Sequence, residues 1–541
     1  MNINLQALTN NYLFLSVCTG LLLAIGWPTY GNPLFLFIGF VPLLWMEYQI
    51  RIHNSEKKLL KVFAYSYLSF LIWNAITTWW IWYATPFGMF FALLVNSLLM
   101  TLVFIGYHFM ARKASQKVSL FFLISIWIAF EKFHQNWDFS WPWLNLGNGF
   151  GSYYKWVQWY EYTGIFGGTL WVWIVNAGLF AALVRYQKNQ HLKQLIKNVL
   201  VYVSLVVIGV ASSLYVYTNY TIQGDTANVI VLQPNVDPYS EKYHKTNAES
   251  ASDLVQLAAT AIDSTVTFVV APETSIANAT AIEDFNFSGE YFIIKDFILK
   301  NPQAHFLGGI SFYSIQEATF KRLPTSNYYK PKNVWYNSYN SAFLIDKYNY
   351  VPVYHKSKLV VGVEHIPYRS IVEPLLGNVM INLGGSVATL TTQPERDVFL
   401  SSNKPTVKAA PIICYESVYG EYVTQYVHKG ADFLAIITND GWWSNSQGHQ
   451  QHLSFASLRA IETRRDVARS ANTGISAFIN QKGDVVQSLA YETKGVLKNQ
   501  IHLNKSITYY TQQGDYIARI AIFTAVLLLL SVLFKKRKVV V

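Results

Sequence analysis

Charged residues are scarce in this chain. Asp, Glu, Lys and Arg make up only 13% of its 541 residues, while hydrophobic residues make up 52%. A soluble globular protein carries about 25% charged residues, and the chain is longer than one ordinary soluble domain. The net charge of +11 is a feature of some nucleic-acid binders, but here many basic residues stand in short clusters between apolar runs. The composition therefore indicates a membrane protein and argues against a nucleic-acid partner.

Cysteine is rarer still, because the chain contains only Cys18 and Cys414. Cys18 lies inside an apolar run, where a lone thiol usually serves packing. Cys414 instead follows the apolar run 407–413 and is itself followed by Tyr415 and Glu416. An unpaired thiol is unusual in an oxidising compartment unless it has a chemical role. Cys414 is therefore a candidate site residue.

Internal repeats, low-complexity tracts and long flexible linkers are absent from the sequence. Eight apolar runs of about 20 residues have the length of transmembrane helices. They are 10–27, 33–50, 61–83, 86–110, 118–134, 163–185, 196–217 and 516–534. The first run lacks the basic start and the small-residue cleavage site of a signal peptide, so we expect it to be retained. Transporters tend to show paired half-repeats and midplane charges, and their absence argues against that class.

Basic residues follow every second apolar run. They are Lys57, Lys58 and Lys61, then Arg112, Lys113 and Lys117, then Arg185, Lys188, Lys193 and Lys197, and finally Lys535, Lys536, Arg537 and Lys538. The intervening loops have almost none. Because loops rich in Lys and Arg stay in the cytoplasm, both termini are predicted to lie there. The long segment 225–510 is then predicted to lie outside.

Residues 225–510 are more polar than the rest and show short strands alternating with helices. The predicted strands are 227–233, 266–271, 306–311, 341–346, 407–414, 432–438 and 474–480, and the predicted helices include 248–262, 290–299 and 450–470. Such alternation predicts one α/β domain. The expected organisation is a bundle of seven transmembrane helices over 1–220, the α/β domain over 225–510, and a last transmembrane helix with a basic cytoplasmic tail over 514–541.

Three reactive side chains stand at the ends of apolar strands in this domain: Glu273 in FVVAPETS, Lys356 in VYHKSKL and Cys414 in IICYES. Strand ends lead into loops, where sites tend to be built. A nearby ammonium favours the thiolate, which is the nucleophilic form of cysteine, and it can also stabilise an oxyanion. A carboxylate can accept the thiol proton and return it to a leaving group. The set predicts acyl transfer.

The ordered set of Glu273, Lys356 and Cys414 resembles the nitrilase, or carbon–nitrogen hydrolase, superfamily. The later stretches ITNDGWW at 437–443 and RRDVARSANTGISAFINQKGDVV at 464–486 agree with it. Further features indicate a more specific resemblance. Seven apolar runs precede the domain and one follows it, and the chain contains WPWLNLG at 141–147 and YNSAFLID at 339–346. The whole chain resembles the apolipoprotein N-acyltransferase family of bacteria.

This resemblance implies a fold and a reaction. The fold is a four-layer α-β-β-α sandwich joined to a bundle of eight transmembrane helices. The reaction takes an acyl chain from a phospholipid, holds it as a thioester on Cys414, and passes it to the α-amino group of a diacylglyceryl-cysteine on an apolipoprotein. It implies no cofactor, no metal and no nucleic-acid partner. The protein is expected to be a monomer in the bacterial inner membrane, with a periplasmic catalytic domain.

The resemblance also implies roles for residues around the three reactive groups. Glu273, Lys356 and Cys414 form the catalytic triad, and the N–H of Tyr415 donates to the oxyanion. The expected supporting residues are Asn340, which lies near the site, and Glu364 and Glu416, which position Lys356 or the acceptor amine. The expected substrate-binding residues are Tyr243, Trp442, Trp443 and Trp143.

Several alternatives remain open from the residues alone. A membrane-tethered amidase could use the same triad with water as acceptor. Glu273 has the context of a carboxylate at a helix start, and Trp143 could anchor the chain at the membrane surface as an aromatic-belt residue. His449 and His452 have a spacing that metal ligands use, but no cysteine or further histidine accompanies them in sequence.

Overall fold

The computed structural model describes residues 11–53, 56–316, 322–370, 389–403 and 405–534. The basic tail predicted at Lys535–Lys538 lies outside the described residues. The chain divides into two compact units. The helical unit comprises Met1–Trp82, Pro86–Thr218 and Asp515–Val541, and the α/β unit comprises Tyr83–Thr85 and Asn219–Gly514.

The helical unit is built almost wholly from α-helices. They are Tyr12–Ile25, Leu36–Gly39, Val41–Ile52, Lys58–Thr78, Pro86–Lys113, Gln116–Phe133, Tyr160–Thr163, Ile165–Asn189, Leu192–Asn219 and Tyr516–Leu533, and the short helix Ile81–Ala84 lies where the two units join in sequence. Single 3₁₀ segments cover Pro33–Phe35, Pro142–Leu144 and Leu146–Trp156.

Six helical segments among the described residues are long and apolar enough to cross a membrane. They are Pro33–Ile52, Lys58–Thr78, Pro86–Lys113, Ile165–Asn189, Leu192–Asn219 and Tyr516–Leu533. The two other predicted runs form less apolar or shorter helices. Tyr12–Ile25 has 14 residues, and Gln116–Phe133 carries three charged side chains, Lys117, Glu131 and Lys132. The helices indicate a membrane protein.

At a break in the second predicted run, a side chain supplies the hydrogen bonds that the helical backbone lacks. The helix Leu36–Gly39 ends before Pro42, whose ring nitrogen has no hydrogen to donate. The side chain of Asn176 accepts a hydrogen bond from the Phe40 N–H at 2.9 Å and donates one to the Leu36 carbonyl at 2.8 Å. Because lipid cannot hydrogen-bond an exposed backbone, a buried amide at this break stabilises it.

The described residues of the α/β unit form 14 strands in two sheets. In chain order they are β1 Asp225–Gln233, β2 Val266–Val270, β3 Ile276–Ala281, β4 His305–Gln316, β5 Asn327–Tyr329, β6 Val334–Ile345, β7 Val353–His355, β8 Phe399–Leu400, β9 Lys408–Ile413, β10 Phe433–Thr438, β11 Val467–Ala471, β12 Ala477–Ile479, β13 Val485–Ser488 and β14 Gly495–Leu503. The α-helices are Asn247–Ala259, Gly289–Lys300, Gly420–His428, Gln447–Thr463 and Tyr509–Gln513.

The first sheet has the order β14-β1-β2-β4-β6-β5, with β3 paired to β4 and β7 paired to β6. The helices Asn247–Ala259 and Gly289–Lys300 cover it with apolar side chains such as Leu254 and Ile294, which share one core with Ile230 and Val269. The alternation of apolar residues along β1 and β2 and the spacing of those on the helices place these side chains on the facing surfaces. This core fixes the position of the loop after β2.

The second sheet has the order β13-β12-β11-β10-β9-β8, in which β9, β10 and β11 run parallel. Strand β1 of the first sheet contacts β11, and β6 contacts β9. Parallel strands buried on both faces are continuously apolar, and every residue of β10 is buried. Since β9 and β10 are parallel, the residues that follow them, Cys414 and Asp440, lie at one edge of the sheet.

The seven predicted strands correspond to β1, β2, β4, β6, β9, β10 and β12. The predicted helix 450–470 is wrong at its end. The helix stops at Thr463, Arg464 takes a left-handed conformation with φ of 50°, and Val467–Ala471 forms strand β11. The arginines of RRDVARSA resemble an exposed helical face, yet Arg464, Arg465 and Arg469 are all buried. Tertiary pairing with β10 overrides that local pattern.

Candidate active site

Three strand ends bring the predicted triad into one buried cluster. Glu273 stands three residues after β2, Lys356 directly follows β7, and Cys414 directly follows β9. All three side chains are nearly inaccessible to solvent. Gly309 on β4 allows the Glu273 loop to lie against the sheet, because a Cβ there would stand 2.6 Å from the Glu273 Cα.

Lys356 is the centre of the cluster. Its ammonium donates to Glu273 Oε1 at 2.8 Å and to Glu364 Oε1 at 2.9 Å, with only 1% of the side chain exposed. Burial opposes charge on this lysine, but the two carboxylates outweigh burial and raise the pKa of Lys356 well above its usual range. The Asn340 amide donates to the same two oxygens at 2.8 and 2.9 Å, so it holds both carboxylates against the ammonium.

Glu273 is positioned to act as a base. Its second oxygen, Oε2, accepts a hydrogen bond from the Asn439 backbone N–H at 3.2 Å. Burial alone would raise its pKa, but the charge of Lys356 and the hydrogen bonds from Lys356 and Asn340 outweigh burial and lower the pKa of Glu273. The carboxylate is therefore ionised at neutral pH despite its burial.

Cys414 occupies an uncommon backbone conformation. Its φ of 50° lies in the left-handed region, which non-glycine residues rarely adopt and which costs on the order of 1–3 kcal/mol. Burial and the charge of Glu273 raise the pKa of the thiol well above its usual range, while Lys356 opposes the shift. The resting residue is therefore a thiol that needs a base to take its proton.

Glu416 braces the two loops that carry Cys414 and Lys356. Its carboxylate accepts hydrogen bonds from the backbone N–H of Ile413 and of Ser357, each at 2.8 Å. The hydroxyls of three tyrosines also donate to it, namely Tyr354, Tyr422 and Tyr426. Glu416 thus holds the backbone next to Cys414 and next to Lys356, and its predicted role in positioning Lys356 or the acceptor amine stays a prediction.

Asp440, at the end of β10, belongs to a buried charged group beside Cys414. Asp440 Oδ2 accepts from Arg469 at 2.6 Å, and Oδ1 lies 3.1 Å from His452 Nδ1. One ligand atom from each of Cys414, Asp440 and His452 lies within 4.8 Å of the other two, a spacing that could hold a metal ion. Arg469 Nη2, however, is also 3.1 Å from His452 Nδ1, so a guanidinium already supplies positive charge there.

Comparisons with known proteins match both parts of the chain. Residues 19–178 match the model of the apolipoprotein N-acyltransferase N-terminal domain, and 320–510 match that of the carbon–nitrogen hydrolases. An apolipoprotein N-acyltransferase of Chlorobaculum tepidum is 27% identical over 98% of each chain. That of Thermotoga maritima is 25% identical over 95% of this chain and 92% of its own. The chain is therefore similar to apolipoprotein N-acyltransferases along nearly its whole length.

Solved structures are more distant. An amidase of the nitrilase superfamily from Nesterenkonia aligns with 55% of this chain and 98% of its own at 12% identity, with a TM-score of 0.36. The carbon–nitrogen hydrolase model already covers the strands β5 to β14 and the cysteine loop. By its match to that family model, the α/β unit is nitrilase-like.

The predicted substrate-binding aromatic residues lie in both units. The Trp442 ring packs edge-on against Tyr239 at 5.1 Å, and Trp443 packs against His452 at 5.5 Å. Tyr243 is 58% exposed. Partial burial, and then the negative charges of Glu273 and Glu364, raise the pKa of its hydroxyl. Trp143 belongs to the helical unit, where it is fully buried against Trp80 and Trp141.

Sequence reasoning missed several residues of this site. The Thr438 hydroxyl donates to Asp440 Oδ1 at 2.7 Å, and the Asn439 N–H donates to Glu273 Oε2 at 3.2 Å. Both residues stand at the end of β10, a position from which the sequence could have identified them. Lys242 gave no such signal. It lies in the polar stretch PYSEKYHK, outside any strand, and only the folded chain brings it beside the Glu273 loop.

Proposed function

We propose that this protein transfers an acyl chain from a phospholipid to the α-amino group of a diacylglyceryl-cysteine on an apolipoprotein, through a thioester on Cys414. The observation that carries the proposal is the buried ion pair of Glu273 and Lys356. Lys356 Nζ lies 2.8 Å from Glu273 Oε1, and the Cys414 thiol stands nearby at the end of β9. The similarity supplies the substrate class, since the relatives are apolipoprotein N-acyltransferases.

The first half-reaction acylates Cys414. Glu273 accepts the thiol proton while the sulfur attacks the ester carbonyl carbon, so that a sulfur–carbon bond forms and the carbonyl oxygen gains negative charge. The Lys356 ammonium and the Tyr415 N–H stabilise that charge. As the carbon–oxygen bond to the glycerol breaks, Glu273 returns the proton to the departing oxygen. A lysophospholipid leaves and the acyl chain remains on Cys414.

The second half-reaction discharges the thioester. The neutral α-amino group of the apolipoprotein attacks the thioester carbonyl, and Glu273 takes the proton that the amine loses. The carbon–sulfur bond then breaks and the sulfur recovers that proton. An amide forms and the free thiol is regenerated, which completes a ping-pong cycle. Glu364, Asn340 and Glu416 keep the reacting groups in place, while Tyr243, Trp442 and Trp443 contact the substrate.

The transfer can be tested with the full-length protein in detergent. A phospholipid with a labelled acyl chain and a peptide that begins with a diacylglyceryl-cysteine should yield an N-acylated peptide and lysophospholipid in equal amounts. The matched control is the same peptide with its α-amino group acetylated, which should remain unlabelled. Release of free fatty acid with no labelled peptide would favour a membrane-tethered amidase or hydrolase and contradict the transfer.

The finer architecture belongs to the same proposal. We expect eight transmembrane helices, with Tyr12–Ile25 and Gln116–Phe133 added to the six apolar segments, and a four-layer α-β-β-α domain. The functional divisions are 1–220, 225–510 and 514–541, in a monomer of the bacterial inner membrane with a periplasmic catalytic domain. The alternating basic loops support this orientation.

Labelling of introduced cysteines tests the orientation. Lys300 ends a helix of the α/β unit, and its side chain is 71% exposed. Lys300→Cys should react with a membrane-impermeant maleimide in intact cells, because the α/β unit is proposed to lie outside the cytoplasm. Lys193→Cys, at an exposed position of the basic segment before 196–217, should react only after the membrane is permeabilised. The reverse pattern would place the α/β unit in the cytoplasm and contradict the lipoprotein role.

A further inference from the structure

A second lysine, Lys242, is buried beside the triad. Its ammonium donates a hydrogen bond to the Thr274 hydroxyl at 2.5 Å, and Thr274 directly follows Glu273. The ammonium also lies 5.6 Å from the centre of the Trp442 ring and 5.8 Å from that of the Tyr243 ring. Only 7% of Lys242 is exposed, so most of the water that would solvate the charge is excluded.

The charge of Lys242 has no close anionic partner within the described ranges from residue 11 to residue 534. The nearest carboxylates of the site, Glu273 and Glu364, are instead paired with Lys356 at 2.8 and 2.9 Å. Burial lowers the pKa of Lys242 to about 8, against the opposing effect of Glu273 and Glu364. Among the described residues this buried ammonium contacts one hydroxyl and lies near two aromatic rings, so its charge is incompletely compensated.

Lys242 lines a pocket of the α/β unit. Lys242 and Thr274 line it together with Pro234, Val236, Ser275 and Asn472. The neighbouring Lys245 lines the same pocket, but its ammonium is already paired with Asp253 at 2.9 Å. Of the two lysines in this pocket, Lys242 is therefore the one whose charge is available to a ligand.

We propose that Lys242 binds the phosphate group of the phospholipid that donates the acyl chain. The inference rests on the proposed function. A phosphodiester lies only a few bonds from the ester carbonyl that Cys414 attacks, and a lysine is an effective point charge for phosphate. Trp442 and Tyr243 exclude water from the ammonium, which strengthens an electrostatic contact. Lys242 would thereby distinguish a phospholipid from other esters.

The test compares two acyl donors in the full-length protein. One donor is phosphatidylglycerol in mixed micelles, and the other is p-nitrophenyl palmitate, an ester without phosphate. In Lys242→Met, which keeps an unbranched stem and removes the charge, acylation of Cys414 by phosphatidylglycerol should fall about 10- to 100-fold. Acylation by p-nitrophenyl palmitate, followed by release of p-nitrophenolate, should remain at the wild-type rate.

Two further variants keep the test decisive. Lys245→Met removes the other lysine of the pocket and should leave both reactions unchanged. Thr274→Val removes the hydroxyl that holds the Lys242 ammonium and should reduce the phospholipid reaction alone, by less than Lys242→Met does. It covers the case in which Lys242→Met fails to fold. Two results would overturn the proposal. One is an equal loss of Cys414 acylation with both donors, because Lys242 would then support the triad. The other is no loss of acylation with either donor.

Failure of the proposed function would look different. Wild-type protein that reacts with p-nitrophenyl palmitate but forms no adduct with phosphatidylglycerol has a working nucleophile and no phospholipid donor activity. A different result would retain the transfer and exclude the phosphate site. In that result the wild-type protein reacts with both donors, and Lys242→Met reacts with each of them at the wild-type rate.

Discussion

Replacing Cys414 with alanine should abolish both half-reactions. Wild-type protein exposed to phospholipid alone should gain the mass of one acyl chain, which maps to Cys414 and is removed by hydroxylamine, and should release a lysophospholipid. Cys414→Ala should show no adduct and no peptide acylation, a loss of at least about 10⁴-fold, because no other nucleophile of the cluster can replace the sulfur. Mass spectrometry of the intact protein measures both.

Cys414→Ser separates the sulfur from the shape of the site. Burial and the charge of Glu273 raise even the pKa of a thiol at position 414, so Glu273 would have to deprotonate a still weaker acid, and we expect almost no activity. The matched control is Cys18→Ala, which removes the other cysteine of the chain and should acylate normally. Activity in Cys414→Ala would contradict the whole assignment. A wild-type protein without an adduct that still acylates the peptide would indicate direct transfer.

Charge and burial explain why Glu273 is ionised while the Cys414 thiol is neutral. Lys356 and Asn340 lower the pKa of Glu273, whereas burial raises that of Cys414. The buried groups are therefore a carboxylate and a neutral thiol, and in the proposed mechanism the thiolate forms only as the sulfur attacks. A permanently ionised sulfur buried among the carboxylates would carry a large desolvation cost.

Much of the α/β unit could be predicted because its signals are local. Short apolar runs bounded by turn residues gave β1, β2, β4, β6, β9, β10 and β12, and the three reactive residues stand at or near the ends of three strands. The mistaken extension of helix 450–470 over β11 had the opposite cause. Arg469 looks like a solvated residue, but it lies in a fully buried strand and pairs with Asp440, a contact that no local pattern announces.

The partners of the site residues depend on contacts between distant segments. The oxygens of Glu416 accept from two backbone N–H groups and from three tyrosines in two parts of the chain, partners that the expectation of a support for Lys356 or the acceptor amine did not include. Lys242 became a site residue only through Thr274, 32 residues later. Sequence can place a reactive residue at a strand end, whereas the counter-charges it meets are decided by how the two sheets pack.

Lys356→Arg should leave the protein folded and remove most of its activity. The variant keeps a positive charge between Glu273 and Glu364, so it avoids the roughly 3–5 kcal/mol that an unpaired buried charge costs. Arginine, however, is longer, planar and forked. A single Nζ now reaches Glu273 Oε1 at 2.8 Å and Glu364 Oε1 at 2.9 Å in a space that is 1% exposed, and a guanidinium there must displace at least one carboxylate.

Displacing Glu273 from the thiol and removing the compact ammonium from the oxyanion should lower the rate of Cys414 acylation about 100- to 1,000-fold. The rate of adduct formation and the thermal unfolding midpoint should be measured together, so that a folded but slow enzyme is recognised. Lys358→Arg is the matched control, because Lys358 lies two residues further on and contacts the Tyr419 ring at 4.7 Å, an interaction that arginine preserves. A Lys356→Arg variant as fast as Lys358→Arg would show that a compact ammonium at this position is not part of the chemistry.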